Sequence, residues 1–251
     1  MNAMPLKDRV AVVTGASRGI GAAIAERLAQ EGALVAVGYR TEETKAQEVV
    51  ERCRSHGGYA YAYRADVRSR SDVEEMVRRV KCELGPPLIL VHNAGVAGIG
   101  LIQDVTDDQY ATVFDTHIKG AIHLIQACLP NMLSRKFGRI VLLSSIWGES
   151  GGAGEALYSA AKGAVNGMAR SLAKELGPSG ITVNAVAPGA IETDMLRAQL
   201  AEEERSALVD EIPVGRLGRP ADIAALTAFL CREEAGYLTG QVLHVNGGWY
   251  P

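Results

Sequence analysis

The chain reads as an α/β fold: a doubly wound parallel sheet of about seven strands with helices on both faces. Three observations lead there. Short runs rich in Val, Ile and Ala alternate with longer stretches of helical period along the whole chain, and such alternation builds a parallel sheet. The strand runs are apolar at nearly every position, as expected of strands covered on both sides. Most helical stretches end on glycine, alone or before proline, which stops helices. The 251 residues are 47% hydrophobic and 22% charged, which suits a single domain, residues 1–251, with a large core.

The first strand covers residues 9–14 and the first helix 20–31, stopped by Gly32. Strand 33–39 and helix 42–56 follow, closed by Gly57-Gly58. Strand 59–65 leads to helix 71–84, which ends at Gly85-Pro86-Pro87 before the short strand 88–91. Residues 106–133 carry a long helical pattern that Pro130 is expected to interrupt. Strand 139–143, helix 156–176, strand 181–186, helix 221–231 and strand 242–245 complete the alternation. Residues 191–217, rich in Glu and Arg, break the rhythm after the sixth strand. In doubly wound sheets ligands bind outside the carboxyl ends of the strands. This segment is therefore expected to be a substrate lid, with a solvated excursion or a subunit contact as alternatives.

The net charge of −3 and the lack of a long basic run argue against nucleic acid as the main partner. No stretch of 18 apolar residues occurs, so no membrane helix is expected. The start enters an apolar strand without a signal-like segment. Cys53, Cys82, Cys128 and Cys231 are scattered without metal-ligand spacing, as in a reduced cytoplasmic protein with no metal.

Strand 9–14 runs into Gly15-Ala16-Ser17-Arg18-Gly19-Ile20-Gly21 and then a helix. Glycines permit a tight turn and close approach to a pyrophosphate. The helix N-terminus behind them supplies free N–H groups and positive partial charge. Placed between the first strand and the first helix, this turn points to a dinucleotide and to a Rossmann-type fold. Farther on, Tyr158 and Lys162 stand four apart in a helical stretch, on one face and within reach of each other. A phenol has a pKa of about 10, and an adjacent ammonium lowers it. The pair therefore reads as a proton donor tuned for neutral pH, with the Ser145 hydroxyl holding the oxygen that receives the proton.

These residues resemble the short-chain dehydrogenase/reductase family. The glycine turn from Thr14, the His92-Asn93-Ala94-Gly95 stretch, the thirteen-residue step from Ser145 to Tyr158, and Pro188-Gly189 each match a motif of that family. The stretches 184–189, 215–220 and 237–248 resemble its 3-oxoacyl-acyl-carrier-protein reductase branch. The resemblance implies hydride transfer from a nicotinamide cofactor to a ketone. Ser145 would steady the carbonyl oxygen, Tyr158 would give the proton, and Lys162 would tune the tyrosine and hold the cofactor's ribose. It further implies that the turn Gly15, Ser17, Arg18, Gly19, Ile20 and Gly21 holds the pyrophosphate. Asp66 and Val67 would meet the adenine, and Asn93, Ala94 and Gly95 would line the cleft. Pro188 and Gly189 would underlie the nicotinamide, with Ile191 and Thr193 at its carboxamide and phosphate end. Ser144 competes for the serine role, but family spacing selects Ser145.

Acids about 20 residues past such glycines select NAD, and arginines select NADP. Tyr39 and Arg40 stand at that strand end, so NADP(H) is expected, with Arg18 and Arg40 on the 2′-phosphate. The alternative is NAD held by Glu42 or Glu43. One position departs from the family. His117 stands where an asparagine of the proton relay is usual. Histidine can accept and donate and titrates near neutral pH, so it either replaces the asparagine or is a satisfied buried group.

The loop 146–155 is expected to wall the substrate pocket, with Trp147 as an apolar face there or in a core or interface role, and Glu155 near the mouth, either disfavouring anionic substrates or facing water. Arg135, Lys136 and Arg139 could meet an acidic carrier protein, or be a solvated helix end. The substrate is expected to be a small or acyl-carrier-linked ketone. Another alcohol/ketone pair (a sugar, a steroid, a diketone) is an alternative, as is a non-catalytic cofactor-binding sensor. The resemblance also implies a homotetramer or homodimer, with the terminal Trp249-Tyr250-Pro251 reaching a neighbour.

Overall fold

The computed structural model describes residues 4–250. β1 (Val10–Val13) is buried at all four positions. α1 (Gly19–Gln30), β2 (Leu34–Tyr39), α2 (Glu43–Ser55), β3 (Tyr59–Arg64), α3 (Arg70–Glu83) and β4 (Pro87–His92) follow. Next come α4 (Asp107–Phe114), a π-helical turn (Asp115–Lys119), α5 (Gly120–Arg135) and β5 (Gly138–Leu143). Then come α6 (Trp147–Ser150), α7 (Ala156–Leu176), β6 (Ile181–Pro188), α8 (Asp194–Gln199), α9 (Glu202–Glu211), α10 (Pro220–Cys231) and β7 (Val242–Val245).

The strands form one parallel sheet in the order β3-β2-β1-β4-β5-β6-β7. This is the doubly wound architecture that the alternation predicts. The order reverses between β1 and β4, which opens a crevice at their carboxyl ends. Strand side chains alternate between two cores. Ala11, Val13, Val37 and Val91 pack with α1, α2 and α10. Val12, Leu90, Ile140 and Leu142 pack with α3, α5 and α7. Each Val or Leu fully withdrawn from water contributes about 1.5–3 kcal/mol, so the sheet is the stable frame.

Two helical expectations change. The stretch 106–133 is interrupted at the π-turn Asp115–Lys119, whereas Pro130 lies inside α5. Pro130 and Gln126, whose carbonyl the proline leaves unbonded, both face solvent, so water satisfies the free carbonyl. Residues 147–150 form α6, a single helical turn within the expected loop.

The basic cluster also differs. Arg139 is buried; its guanidinium donates to the carbonyls of Arg232 and Gly138 at 3.1 and 2.9 Å and lies over the Phe137 ring. It is therefore not free to meet a partner. Arg135 and Lys136 precede the amino end of β5. That is one strand length, roughly 20 Å, from the carboxyl ends where the crevice opens.

The amino end of the sheet is tied by Glu31. Its carboxylate accepts from Arg232 at 2.7 and 2.8 Å and from Arg27 at 2.8 Å, joining the end of α1 to the end of α10. Burial raises the Glu31 pKa, but the two arginines outweigh it and hold the carboxyl below its usual value. Because the folded pKa is depressed, this stability is present above the ordinary glutamate range and lost as pH falls through it. Glu31→Gln should cost about 1–2 kcal/mol at neutral pH and progressively less as pH falls below the ordinary glutamate range toward the lowered folded value, as read by urea unfolding across a pH series.

Candidate active site

The site begins where the turns after β1 and β4 meet. Thr14 Oγ1 accepts from the backbone N–H groups of Asn93 and Ala94, each at 3.2 Å, and lies 3.1 Å from His92 Nδ1. Asn93 Nδ2 donates to the carbonyls of Thr14 and Gly15 at 3.1 and 2.9 Å. Gly15 turns at φ +61° and Gly19 at φ +58°, angles that glycine adopts without strain. A Cβ on Gly21 would lie 2.3 Å from the Gly15 carbonyl oxygen. No side chain caps α1, and Gly19 and Ile20 line the cleft. Uncapped N–H groups behind a glycine turn fit a pyrophosphate.

The cleft has a volume of about 1060 Å³ and runs from this turn along the carboxyl ends of the strands. Arg18, Arg40, Ser17 and Tyr39 line one end; Ser145, Trp147, Glu155 and Tyr158 line the other. Glu42 pairs with Lys45 at 3.2 Å, and Glu43 lies against the Tyr39 hydroxyl. Glu42 lines the same end of the cleft, while Glu43 is turned to Tyr39. Asp66 is clamped by Arg68 Nη2 at 2.6 Å and Nε at 3.0 Å, which lowers its pKa. Val67 packs on Gly120, where a Cβ would approach Val67 Cγ2 to 2.9 Å. Pro188 ends β6, and the Gly189 N–H donates to the Val245 carbonyl at 3.0 Å. Ile191 bridges to Gly218. Thr193 caps α8, accepting from the Leu196 N–H at 3.3 Å. Leu196, Leu200 and Leu208, from the segment 191–217, line the cleft.

At the reactive end, Ser145 Oγ accepts from the Trp147 N–H at 3.2 Å, and its hydroxyl lies close enough to the Tyr158 phenol to lower that group's pKa. The other candidate, Ser144, donates to the Lys162 carbonyl at 3.3 Å, on the α7 backbone. Tyr158 and Lys162 sit one turn apart on α7. Lys162 Nζ donates to the Leu143 carbonyl at 2.6 Å and lies 5.3 Å from the Tyr158 ring centre.

The electrostatics differ from the sequence expectation. Burial pushes the Tyr158 phenol up to about 12; the Ser145 hydroxyl pulls it down, and the Glu155 charge pushes it up again. Burial pushes the Lys162 ammonium down to about 7. Burial dominates at Tyr158, so the phenol holds its proton firmly. Burial likewise raises the Glu155 carboxyl.

His117 lies in the π-turn, almost fully buried. Its Nε2 sits against the Val96 backbone, 2.9 Å from the carbonyl oxygen and 3.2 Å from the nitrogen. Its ring meets Tyr158 edge-on at 5.6 Å and packs on Gly95, where a Cβ would lie 2.6 Å from His117 Cε1. Burial and then Lys162 push its pKa down to about 2. His117 is neutral throughout the working range, which removes the near-neutral titration expected of it.

Residues 15–250 match the family model described as enoyl-(acyl carrier protein) reductase. The chain is 42% identical over 243 residues to the 3-oxoacyl-acyl-carrier-protein reductase FabG of Staphylococcus epidermidis, covering 97% of this chain and 99% of that protein. Identity to the Salmonella typhimurium protein of the same name is 40% over 247 residues, covering 98% and 99%. A blue fluorescent protein from a metagenomic library, solved in complex with NADPH, is similar with TM-score 0.92 and 38% identity, covering 98% of this chain and 100% of that one. A double mutant of a Serratia marcescens short-chain dehydrogenase/reductase gives TM-score 0.92 at 35% identity, covering 98% and 99%. The chain belongs to the short-chain dehydrogenase/reductase family.

As a short-chain dehydrogenase/reductase it is an oxidoreductase. Two features of its site escaped the sequence. Thr14 Oγ1 is the acceptor that fastens β4 to the glycine turn, although Thr14 reads only as the residue before the first glycine. Trp249 was expected to reach a neighbouring subunit. It lines the cleft of its own chain, edge-to-face with Trp147 at 5.4 Å, while Pro251 lies outside the described residues. Nothing local in the sequence links positions about a hundred apart.

Lys162 makes stability depend on pH. The unfolded lysine titrates near 10.4 and the folded one near 7. Between these values the unfolded chain binds more protons, so this group's contribution to stability rises with pH. Lys162→Met should therefore gain most in melting temperature over wild type at pH 7. That advantage should shrink steadily toward pH 10 in a thermal-shift series; a constant offset would exclude the effect.

Proposed function

We propose that the protein is an NADPH-dependent ketone reductase acting on 3-oxoacyl thioesters carried by acyl carrier protein. One observation carries the reading. Ser145, Tyr158 and Lys162 converge at one end of a cleft whose other end presents Arg18 and Arg40. The relatives named 3-oxoacyl-acyl-carrier-protein reductase support the substrate class, and the NADPH complex of a structural neighbour supports the cofactor.

When bound, NADPH supplies the hydride. The uncapped start of α1 would bind the pyrophosphate, and Arg18 and Arg40 the 2′-phosphate. Ser145 donates a hydrogen bond to the substrate oxygen as negative charge develops there. Tyr158, held protonated by burial, delivers its proton to that oxygen. Lys162, once protonated, offsets the charge left on the phenolate. His117 acts by shape, supporting the Tyr158 ring edge.

A second reading, reduction of a small free ketone, is favoured by the position of Arg135 and Lys136 far from the crevice, which leaves a carrier no help from that cluster. The proposal carries with it a cytoplasmic setting, consistent with the unpaired cysteines. It also carries a homo-oligomer, consistent with exposed apolar side chains at Ile99, Leu101, Ile102 and Tyr110.

NADPH absorbance with a panel of 3-oxoacyl thioesters and simple ketones tests the reading. Thioester turnover is expected; preference for a free ketone over every thioester selects the second reading, and no turnover despite tight NADPH binding sinks both. Arg40→Ala should weaken NADPH binding at least about tenfold while leaving NADH unaffected. The pH–rate profiles of wild type and His117→Asn should have the same shape across about pH 6–9, because the histidine carries no proton to lose there.

A further inference from the structure

The substrate end of the cleft carries a feature that neither the reactive triad nor the cofactor cradle uses. The chain has two tryptophans, and both stand there, edge-to-face. Each is anchored. Trp147 belongs to α6 and donates its backbone N–H to Ser145 Oγ. Its helix is held by Glu149, which accepts from Arg170 at 3.1 Å and lies 3.2 Å from His244 Nε2. Trp249 donates its indole N–H to Glu211 of α9 at 3.2 Å.

The residues before Trp249 pack on the exit of the 191–217 segment. The Val214 N–H donates to the Gly247 carbonyl at 3.2 Å, and a Cβ on Gly248 would lie 3.3 Å from Pro213 Cγ. The terminal segment is thus a strap across three walls of the cleft: α6, the 191–217 segment and β7. Edge-to-face aromatic pairing is directional, and anchoring at both ends keeps the wall from swinging aside. It begins two residues from Ser145, so it confronts whatever extends from the reacting carbonyl.

Resting on the ketone-reductase reading, we propose that Trp249 is the specificity-determining residue of the substrate pocket. With Trp147 it forms a fixed apolar end wall that admits short acyl groups and turns away long ones. The apolar face selects hydrocarbon over polar substituents, and the fixed distance from Ser145 sets chain length.

The test compares kcat/KM for acetoacetyl and 3-oxodecanoyl thioesters. Wild type should prefer acetoacetyl. Trp249→Ala should shift the ratio toward 3-oxodecanoyl at least about tenfold, the scale of discrimination by pocket size, and Trp249→Phe should hold it within about threefold. An unchanged ratio, or an equal fall for both substrates, overturns the proposal. If wild type reduces only simple ketones, the thioester reading fails, and short- and long-chain methyl ketones put the same question to the wall. A second measurement needs no variant. Because all tryptophan emission comes from this pair, acetoacetyl thioester titrated into wild type saturated with NADP⁺, a pair that cannot exchange a hydride, should change that emission saturably. Unchanged emission at saturating ligand overturns the placement of the wall.

Discussion

The close approach of two turns governs the rest of the molecule. The turn after β1 and the turn after β4 meet so tightly that a Cβ on Gly15 would lie 2.8 Å from Ala94 Cα. Asn93 spends its amide on the carbonyls of Thr14 and Gly15, and Thr14 returns a hydroxyl acceptor to two N–H groups. The lock stands where strand order reverses, so it sets the width of the crevice that the reversal opens. From there contacts continue outward. Gly95 leaves room for the His117 ring, and that ring supports Tyr158. A disturbance at the phosphate turn would therefore reach the reactive hydroxyl through packing alone.

Burial then decides which protons the site holds. Tyr158 is pushed up, Lys162 and His117 are pushed down, and each shift favours the neutral form, as desolvation must. A buried ammonium beside a phenolate would be the mutually stabilised alternative, but removing both charges from water opposes it. The resting site is therefore a loaded acid beside a lysine poised to gain or lose its proton near pH 7. Charge developing on a substrate oxygen is what would shift that balance.

Much of this was legible because it is local. Buried strands appear as unbroken apolar runs, the glycine turn sits between a strand and a helix, and the four-residue step from Tyr158 to Lys162 is one helical turn. The misses are non-local. The π-turn at Asp115–Lys119 is accompanied by His117 packing against the Val96 backbone and Gly95, residues twenty positions away. Pro130 looked like a break, but it falls on the wet face of α5, where a free carbonyl costs little. Arg139 looked like a surface charge until the fold buried it over Phe137 and gave its donors backbone carbonyls. Spacing brought Tyr158 and Lys162 together, but it could not reveal how deeply the sheet buries them, and depth sets their pKa values.

Glu155 links the reactive end to the substrate end. It lines the cleft with Tyr158, and its charge adds to the rise of the Tyr158 pKa. Oxidation of an alcohol needs the phenolate as base, whereas reduction needs the phenol as acid. A carboxylate that opposes phenolate formation keeps Tyr158 in the proton-loaded form from which reduction starts, and it adds to the phenolate charge that Lys162 would have to offset once the proton has left. Its own pKa is raised by burial, so the opposition weakens when it takes up a proton. The same charge repels substrates that carry a carboxylate near the carbonyl. If the reductase reading holds, the apolar wall of Trp147 and Trp249 and the carboxylate of Glu155 would act on different parts of one molecule: the wall would limit its hydrocarbon, and the acid would repel anions from the end that reacts.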